Sequence, residues 1–305
     1  MNDEIKNFSV DGLELLSGGN NSKVYRLGAD KIVKLYKSEN VGEDAIKREI
    51  NNARTAFAAG VPTPRIYEAV KVGKKFGLIF ELVDAPSLKN YILQNPSSVQ
   101  AIAVKEAALL KKIHGIKLAT GSLPYFEKIY RQRAESMRDL LTDKEIAVAQ
   151  KVIDSLPPRN TYIHGDFHPA NIMVRDGELV LVDMVNSSLG HPMYDLMSVY
   201  MFGVGFAKNF PALCEKMSGG WSFAWIDSLW QTLKKNYFGT DDPHELSELE
   251  DMTEFYSLLR WLTYLKRFPF PKENDRCKCI EILREKFFPS VEENIPRFAE
   301  KIRLM

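Results

Sequence analysis

The most informative stretch of this chain reads His164-Gly165-Asp166-Phe167-His168-Pro169-Ala170-Asn171, followed by Ile172-Met173-Val174, the turn residues Asp176-Gly177, and Leu179-Val180-Leu181-Val182-Asp183. Two β-prone runs joined by a turn that contains Asp-Gly predict a β-hairpin. Because a hairpin reverses the chain, we expect it to return the carboxylate of Asp183 towards the segment that carries Asp166 and Asn171. Three oxygen-bearing side chains then converge.

Those three side chains match the needs of phosphoryl transfer. That reaction requires a group that accepts the proton of the acceptor hydroxyl, and oxygen ligands for the magnesium ions that neutralise charge on the phosphates. Asp166 suits the first role, and Asn171 and Asp183 suit the second, because Mg²⁺ prefers hard oxygen donors and needs few from the protein. The alternative is a surface hairpin with incidental polar residues, which would not require all three together.

The same segment resembles the catalytic loop of the aminoglycoside phosphotransferase and choline kinase family, His-Gly-Asp-x-x-x-x-Asn followed by a metal-binding Asp. The resemblance implies an α+β, two-lobed, protein-kinase-like fold with a small β-rich N-lobe and a larger, mainly helical C-lobe. It also implies an ATP- and Mg²⁺-dependent kinase. Gly165 stands where many protein kinases carry Arg, and Met184-Val185 where they carry Phe-Gly. Both departures favour a small-molecule substrate over a protein.

A phosphate-covering loop is expected upstream of the nucleotide-binding lysine in such a kinase. Gly18 and Gly19 lie between two β-prone runs, with Ser22 shortly after them, and glycines let backbone N–H groups approach a phosphate closely. An ordinary hairpin turn explains the same residues. Their position before Lys34 supports the phosphate-binding interpretation.

Lys34 is the candidate phosphate-binding lysine. It lies in the β-prone run Ile32–Tyr36 and shares a face with Ile32 and Tyr36, because side chains alternate along a strand. A solvated edge-strand lysine is the alternative. Glu49, on a predicted helix from Glu43 to Ala59, is the expected partner that orients Lys34. Glu43 competes for this role, although a carboxylate at a helix start is already explained by the helix dipole.

The segment Phe76–Val83 reads as the last strand of the N-lobe. By resemblance, the backbone of Glu81 to Val83 should form the hinge that binds adenine, so the lobes are expected at residues 1–83 and 84–305. Beyond Pro86 the chain reads as mostly helical, and residues Leu123–Leu156 read as two helices. By resemblance again, Asp195 should bond the backbone of the catalytic loop near His164.

Composition excludes several classes of protein. With 41 basic and 40 acidic residues in 305, the net charge of +1 gives no electrostatic case for nucleic acid. No apolar run is long enough to span a bilayer, and the charged N-terminus does not resemble a signal peptide. Three cysteines argue against a disulfide framework. We therefore expect a cytoplasmic protein without a membrane partner; the sequence leaves its oligomeric state open.

The sequence says least about the acceptor. Residues Asp241–Glu254 contain seven acidic residues and no Lys or Arg, which could receive a cationic substrate such as an amino sugar or choline. A solvated, acid-rich helix start is the alternative. The aromatic residues of the final third fit a helical core better than a pocket. Two other functions stay open beside a small-molecule kinase, namely a non-catalytic nucleotide-binding regulator on the same fold and a protein kinase.

Overall fold

The computed structural model describes residues 5–19, 21–267 and 273–305. These group into two compact units. The first comprises the chain up to Leu88 together with Ala170–Ser187, and the second comprises Lys89–Pro169 together with the chain from Ser188 onward. The sequence predicts one boundary after residue 83, with all later residues in the C-lobe. Tertiary contacts instead group Ala170–Ser187, which contains the hairpin, with the N-terminal residues.

The strands are short and lie mainly in the first unit. In chain order they are β1 (Lys6–Asn7), β2 (Leu15–Gly18), β3 (Ser22–Leu27), β4 (Lys31–Tyr36), β5 (Ile66–Val72), β6 (Lys75–Glu81), β7 (Tyr162–Ile163), β8 (Ile172–Arg175), β9 (Glu178–Leu181) and β10 (Ser188–Leu189). The first six form one sheet in the order β1-β5-β6-β4-β3-β2, in which β1 runs parallel to β5 and the other neighbours are antiparallel.

Helices dominate the second unit, whereas α1 lies in the first. The described helices are α1 (Glu43–Ala58), α2 (Leu88–Gln94), α3 (Val99–His114), α4 (Phe126–Glu135), α5 (Asp143–Asp154), α6 (Met193–Tyr200), α7 (Phe206–Asn209), α8 (Pro211–Ser218), α9 (Phe223–Phe238), α10 (Pro243–Arg267), α11 (Glu273–Ile282) and α12 (Val291–Leu304). This division into a six-stranded N-terminal sheet and a mainly helical remainder confirms the predicted α+β arrangement, with a β-rich N-terminal part and a larger, mainly helical C-terminal part. Helices α4 and α5 also confirm the two helices expected between Leu123 and Leu156.

Alternation along β4 decides which side chains reach the core of the first unit. Val33 and Leu35 are buried, and Val33 packs with Val70 and Ile79. Because neighbouring side chains in a strand point to opposite faces, Lys34 lies on the other face. The strand is therefore held by its apolar residues while it presents a lysine.

The hairpin β8–β9 belongs to the first unit through its backbone. Its turn residues Asp176 and Gly177 both have positive φ, as a tight two-residue hairpin turn requires. The N–H of Leu181 donates to Pro62 O at 2.7 Å, and the N–H of Val174 donates to Pro86 O at 2.9 Å. These bonds attach the hairpin, and with it Asp183, to the rest of the first unit.

In the second unit, α3 packs on α9 and α6 packs on α10. Helix α6 continues into a π-helical turn at Met201–Gly205. Several aromatic residues expected in the core are indeed buried, among them Trp230, Tyr256 and Trp261, whereas Phe223 is exposed. Among the described residues, no helix is both long and apolar enough to cross a membrane.

Candidate active site

Lys34 lies at the centre of an ion-pair cluster in the first unit. Its Nζ is 2.9 Å from Glu49 Oε1 and 2.8 Å from Asp183 Oδ1. Burial alone would lower the pKa of Lys34, but the two carboxylates outweigh burial and raise that pKa above its ordinary value. Lys34 therefore stays protonated, and a solvated edge-strand lysine does not describe it.

Helix α1 supplies Glu49 from its buried face. Glu49 is 2% exposed, and burial raises the pKa of its carboxyl against the opposing charge of Lys34. The competing candidate, Glu43, lies at the exposed start of the helix and pairs with Lys47 at 2.8 Å. The structure thus places Glu49, and not Glu43, next to Lys34.

Asp183 follows strand β9 in a left-handed backbone conformation, with φ 66°. Few non-glycine residues adopt this region, and Asp and Asn are among those that do. Sequence reasoning missed the residue that holds this turn. Asn52, one helical turn after Glu49, donates through Nδ2 to Val185 O at 3.0 Å and to Met184 O at 3.3 Å. Its i+3 spacing from Glu49 was the available signal.

Asn171 and Asp183 lie at the open end of the hairpin. Ile172 pairs with Leu181 in the ladder, and the N–H of Val182 donates to Asn171 O at 2.9 Å, so the two candidate metal ligands flank the same rung. One amide and one carboxylate oxygen fit Mg²⁺, which completes its shell with phosphates and water. The described residues contain no group of three or more His, Cys, Asp or Glu that could hold a metal alone.

The glycine-containing turn connects β2 and β3, and Gly18 pairs with Lys23 across it. Asn20, within the predicted loop, lies outside the described residues. Among the described residues, a Cβ added at Gly18 would meet no atom within 4 Å, and one at Gly19 would meet only Ser22 O at 3.8 Å. Packing within the unit therefore does not explain the two glycines.

The hinge candidates follow the last strand of the sheet. Glu81 N–H donates to Arg65 O, and Leu82 N–H donates to Asp30 O, both at 2.8 Å. Among the described residues, Val83 N–H donates to no protein acceptor. The Glu81 side chain contacts Arg175 at 3.2 Å, so that carboxylate has a structural partner.

Asp166 lies in the second unit, just after strand β7. Its Oδ1 accepts a hydrogen bond from Arg260 Nη2 on α10, and its Oδ2 lies 3.7 Å from His168 Nε2. Burial alone would raise the pKa of Asp166, but His168, Arg260 and His164 together hold that pKa well below its ordinary value. Asp166 is therefore an ionised carboxylate that is 26% exposed.

Sequence reasoning missed Arg260, which is 94 residues from Asp166. Its guanidinium also donates to Gly165 O at 3.2 Å, and its side chain is 3% exposed. The available signal was its place within the apolar run Leu258-Leu259-Arg260-Trp261-Leu262. A charged residue in such a run is buried only with a partner.

The buried carboxylate of Asp195 holds the backbone of His164 and Gly165. The N–H of His164 donates to Asp195 Oδ2 at 2.8 Å, and the N–H of Gly165 donates to Oδ1 at 2.7 Å, which confirms the expected bonds. His114 Nε2 lies 3.2 Å from the same carboxylate. Gly165 has φ 75°, a left-handed conformation that favours glycine, so the local backbone disfavours the Arg that many protein kinases carry at this position.

The acidic residues of α10 and the segment before it have partners of their own. Asp241 pairs with Lys235, Glu248 with Lys301 at 3.0 Å, and Asp251 with Arg297 at 2.7 Å. Asp242 accepts from the N–H of His244 at 2.8 Å at the helix start. The ion-paired, helix-start interpretation of this segment therefore fits better than a cation pocket.

Comparison with known proteins places this geometry in a family. The model of the phosphotransferase enzyme family matches residues 12–225. A search of curated proteins found no significant match. An ADP-bound aminoglycoside phosphotransferase APH(2'')-Ib is similar in structure, with TM-score 0.57 and 16% identity over 92% of this chain and 93% of that one.

Two further solved structures share the fold. A choline/ethanolamine kinase family protein from Mesorhizobium loti has TM-score 0.57 and 16% identity over 96% of this chain and 92% of that one. The amicoumacin kinase hAmiN, in complex with AMP-PNP, Ca²⁺ and Ami, has TM-score 0.59 and 12% identity over 95% and 90%. At these identities the structural likeness shows the fold, and the match over most of the sequence identifies this chain as a member of the phosphotransferase enzyme family.

Proposed function

We propose that this enzyme transfers the γ-phosphate of ATP to a hydroxyl group of a small molecule. The observation that carries the proposal is the cluster in which one protonated lysine, Lys34, contacts both Glu49 and Asp183. Burying such a cluster costs desolvation energy, so stability alone is a poor reason to retain it. A lysine held by a helix glutamate beside a metal-binding aspartate is what the donor phosphates require.

The donor is bound by residues of the first unit. Lys34 would contact the donor phosphates, and Glu49 would hold its ammonium in place. The backbone N–H groups near Gly18, Gly19 and Ser22 would cover the phosphates, while the backbone of Glu81 and Val83 would bind the adenine. Asn171 and Asp183 would hold Mg²⁺, which neutralises phosphate charge when bound.

The acceptor is activated in the second unit. The hydroxyl oxygen attacks the γ-phosphorus, the bond to the β-phosphate oxygen breaks, and ADP leaves with that oxygen. The hydroxyl proton passes to the carboxylate of Asp166, which is ionised and so able to accept it. We place the enzyme in the cytoplasm, where ATP and Mg²⁺ are available and where an odd number of cysteines, three in all, fits a reducing compartment.

The acceptor is proposed to be an amino sugar, a choline-like amine alcohol or a sugar. Asp241, Glu248 and Asp251 are paired with Lys235, Lys301 and Arg297 of the same unit, so these three carboxylates give a cationic acceptor no special advantage. The acceptor screen should therefore match neutral and cationic alcohols of similar size, with ATP and GTP as donors, and should measure acceptor-dependent ADP release with Mg²⁺ and with chelator.

Asp166→Ala tests the assignment of the base. The carboxylate acts mainly in the transition state, so kcat should fall at least about a hundredfold while the Kd for Mg²⁺-ATP stays within about twofold. Asp143→Ala, at an 89% exposed surface position of the same unit, is the matched control and should retain full turnover.

Three results would contradict the proposal. Nucleotide binding without acceptor-dependent ADP release for any alcohol would favour a non-catalytic regulator. Phosphorylation of proteins but not of small alcohols would favour a protein kinase. Loss of nucleotide binding together with turnover in Asp166→Ala would move Asp166 from the acceptor to the donor side.

A further inference from the structure

Arg260 makes two different hydrogen bonds to two consecutive residues of the catalytic loop. Nη1 donates to the backbone oxygen of Gly165 at 3.2 Å, and Nη2 donates to Oδ1 of Asp166. The planar guanidinium fixes the angle between these donors, so it sets the direction of the Asp166 carboxylate relative to its own backbone. A lysine carries the same charge but lacks this fixed geometry.

The aromatic ring of Phe202 also contacts the Arg260 side chain. The guanidinium carbon lies 5.5 Å from the ring centre of Phe202, within the range of a cation–π contact. Phe202 also packs against the His168 ring, with centroids 4.4 Å apart. His168 Nε2 lies 3.7 Å from Oδ2 of Asp166. Oδ1 therefore faces Arg260 and Oδ2 faces His168, and the Phe202 ring contacts both of these side chains.

Phe202 is carried by the π-helical turn at Met201–Gly205. A π-turn inserts one residue into a helix at an energetic cost, and such turns are frequent at functional sites. Burial of an arginine–carboxylate pair is likewise a poor route to stability, since desolvation offsets most of the attraction. Both features sit at the proposed base, which points to a role in the reaction.

We propose that Arg260 is a positioning residue that fixes Oδ1 of Asp166, so that Oδ2 receives the proton of the acceptor hydroxyl. This rests on the proposed function. His168 and His164 also lie near the Asp166 carboxylate, so either Arg260 variant keeps these two imidazole side chains beside it. Arg260 itself need not touch the acceptor, and its effect passes through the orientation of Asp166.

The test compares Arg260→Lys with Arg260→Met across a pH series. Misplacement of a reacting group by about 1 Å costs about a hundredfold in rate, so kcat should fall tenfold to a hundredfold in both variants with the KM for ATP unchanged. In Arg260→Met the acidic limb of the kcat profile should also move to higher pH. In Arg260→Lys the limb should stay near that of the wild type, because the charge is kept.

Arg297→Lys and Arg297→Met are the matched controls. Arg297, on α12, forms an exposed ion pair with Asp251, which lies on the same helix α10 as Arg260. These controls should leave kcat, KM and the pH limb unchanged. Wild-type kcat and an unmoved limb in both Arg260 variants would overturn the inference. If neither Arg260 variant folds, Phe202→Leu decides, since lower kcat at unchanged KM for ATP supports the positioning role and wild-type kcat overturns it.

A second readout separates this inference from the proposed function. With ¹³C-labelled aspartate, the Asp166 carboxyl signal is identified by its loss in Asp166→Asn and is then titrated in the wild type and in Arg260→Met. A higher midpoint in Arg260→Met supports the inference even if no acceptor is turned over, and an unchanged midpoint overturns it. Failure of every acceptor in the wild type would instead count against the proposed kinase reaction.

Discussion

We predict that Glu106 makes the stability of the second, mainly helical unit depend on pH. This residue lies on the buried face of α3 and is 1% exposed. Its Oε2 atom has no hydrogen-bond partner among the described residues. Burial raises the pKa of the Glu106 carboxyl to about 8, from an ordinary value of 4.5. A charged carboxylate is costly at such a position, so the folded chain keeps the proton.

The sign follows from proton linkage. Below about pH 4.5 the carboxyl is protonated in both the folded and the unfolded chain, and its contribution to stability is fully present. Between about pH 4.5 and 8 the unfolded chain releases the proton while the folded chain keeps it, so stability falls as pH rises. At about 1.4 kcal/mol per pH unit, the total loss is about 5 kcal/mol, less if water enters the site.

Glu106→Gln removes this ionisation while it preserves the shape of the side chain. We expect the variant to resemble the wild type at pH 5, apart from about 1 to 3 kcal/mol for burying an amide. At pH 8 it should be the more stable protein by a few kcal/mol. The slope of its unfolding free energy against pH should be smaller than that of the wild type by about one proton between pH 5.5 and 7.5.

Urea unfolding followed by tryptophan fluorescence measures this directly. All four tryptophans, Trp221, Trp225, Trp230 and Trp261, belong to the helical unit that contains Glu106. Glu285→Gln, at an exposed position of the same unit, is the control and should leave the slope unchanged. Identical pH slopes for the wild type and Glu106→Gln, at equal denaturant m-values, would refute the reasoning.

Two further predictions concern the site. Asp183→Asn keeps a side chain that tolerates the left-handed backbone but removes the charge that faces Lys34. The protein should therefore fold, while Mg²⁺-dependent nucleotide affinity falls and turnover is lost. Unchanged ADP release would remove Asp183 from the site. Asp241→Asn combined with Glu245→Gln should leave the KM of the best acceptor within about twofold at low and high salt, because Asp241 pairs with Lys235 and Glu245 accepts from the Thr240 hydroxyl. A tenfold, salt-sensitive rise in KM would restore the cationic-acceptor hypothesis.

The sequence alone determined the parts of the fold that depend on local spacing. Asp-Gly between two apolar runs predicted the β8–β9 hairpin, and alternation in β4 placed Lys34 opposite Val33 and Leu35. Both rest on backbone periodicity, which neighbouring residues set. The contact between Lys34 and Glu49 was expected because such a kinase needs a strand lysine followed by a helix glutamate, and the two side chains do form a hydrogen bond of 2.9 Å.

Only the tertiary structure decided which charges meet across the helical unit. Arg260 and Asp166 are 94 residues apart, and no local pattern links a helix arginine to a loop carboxylate. The acidic segment read as a surface that could hold a cation, yet Lys301 and Arg297 on α12 neutralise part of it. Sequence spacing shows which face of a helix a side chain occupies, whereas the packing of distant helices chooses its partner, and burial then decides whether that partner is water or another charge.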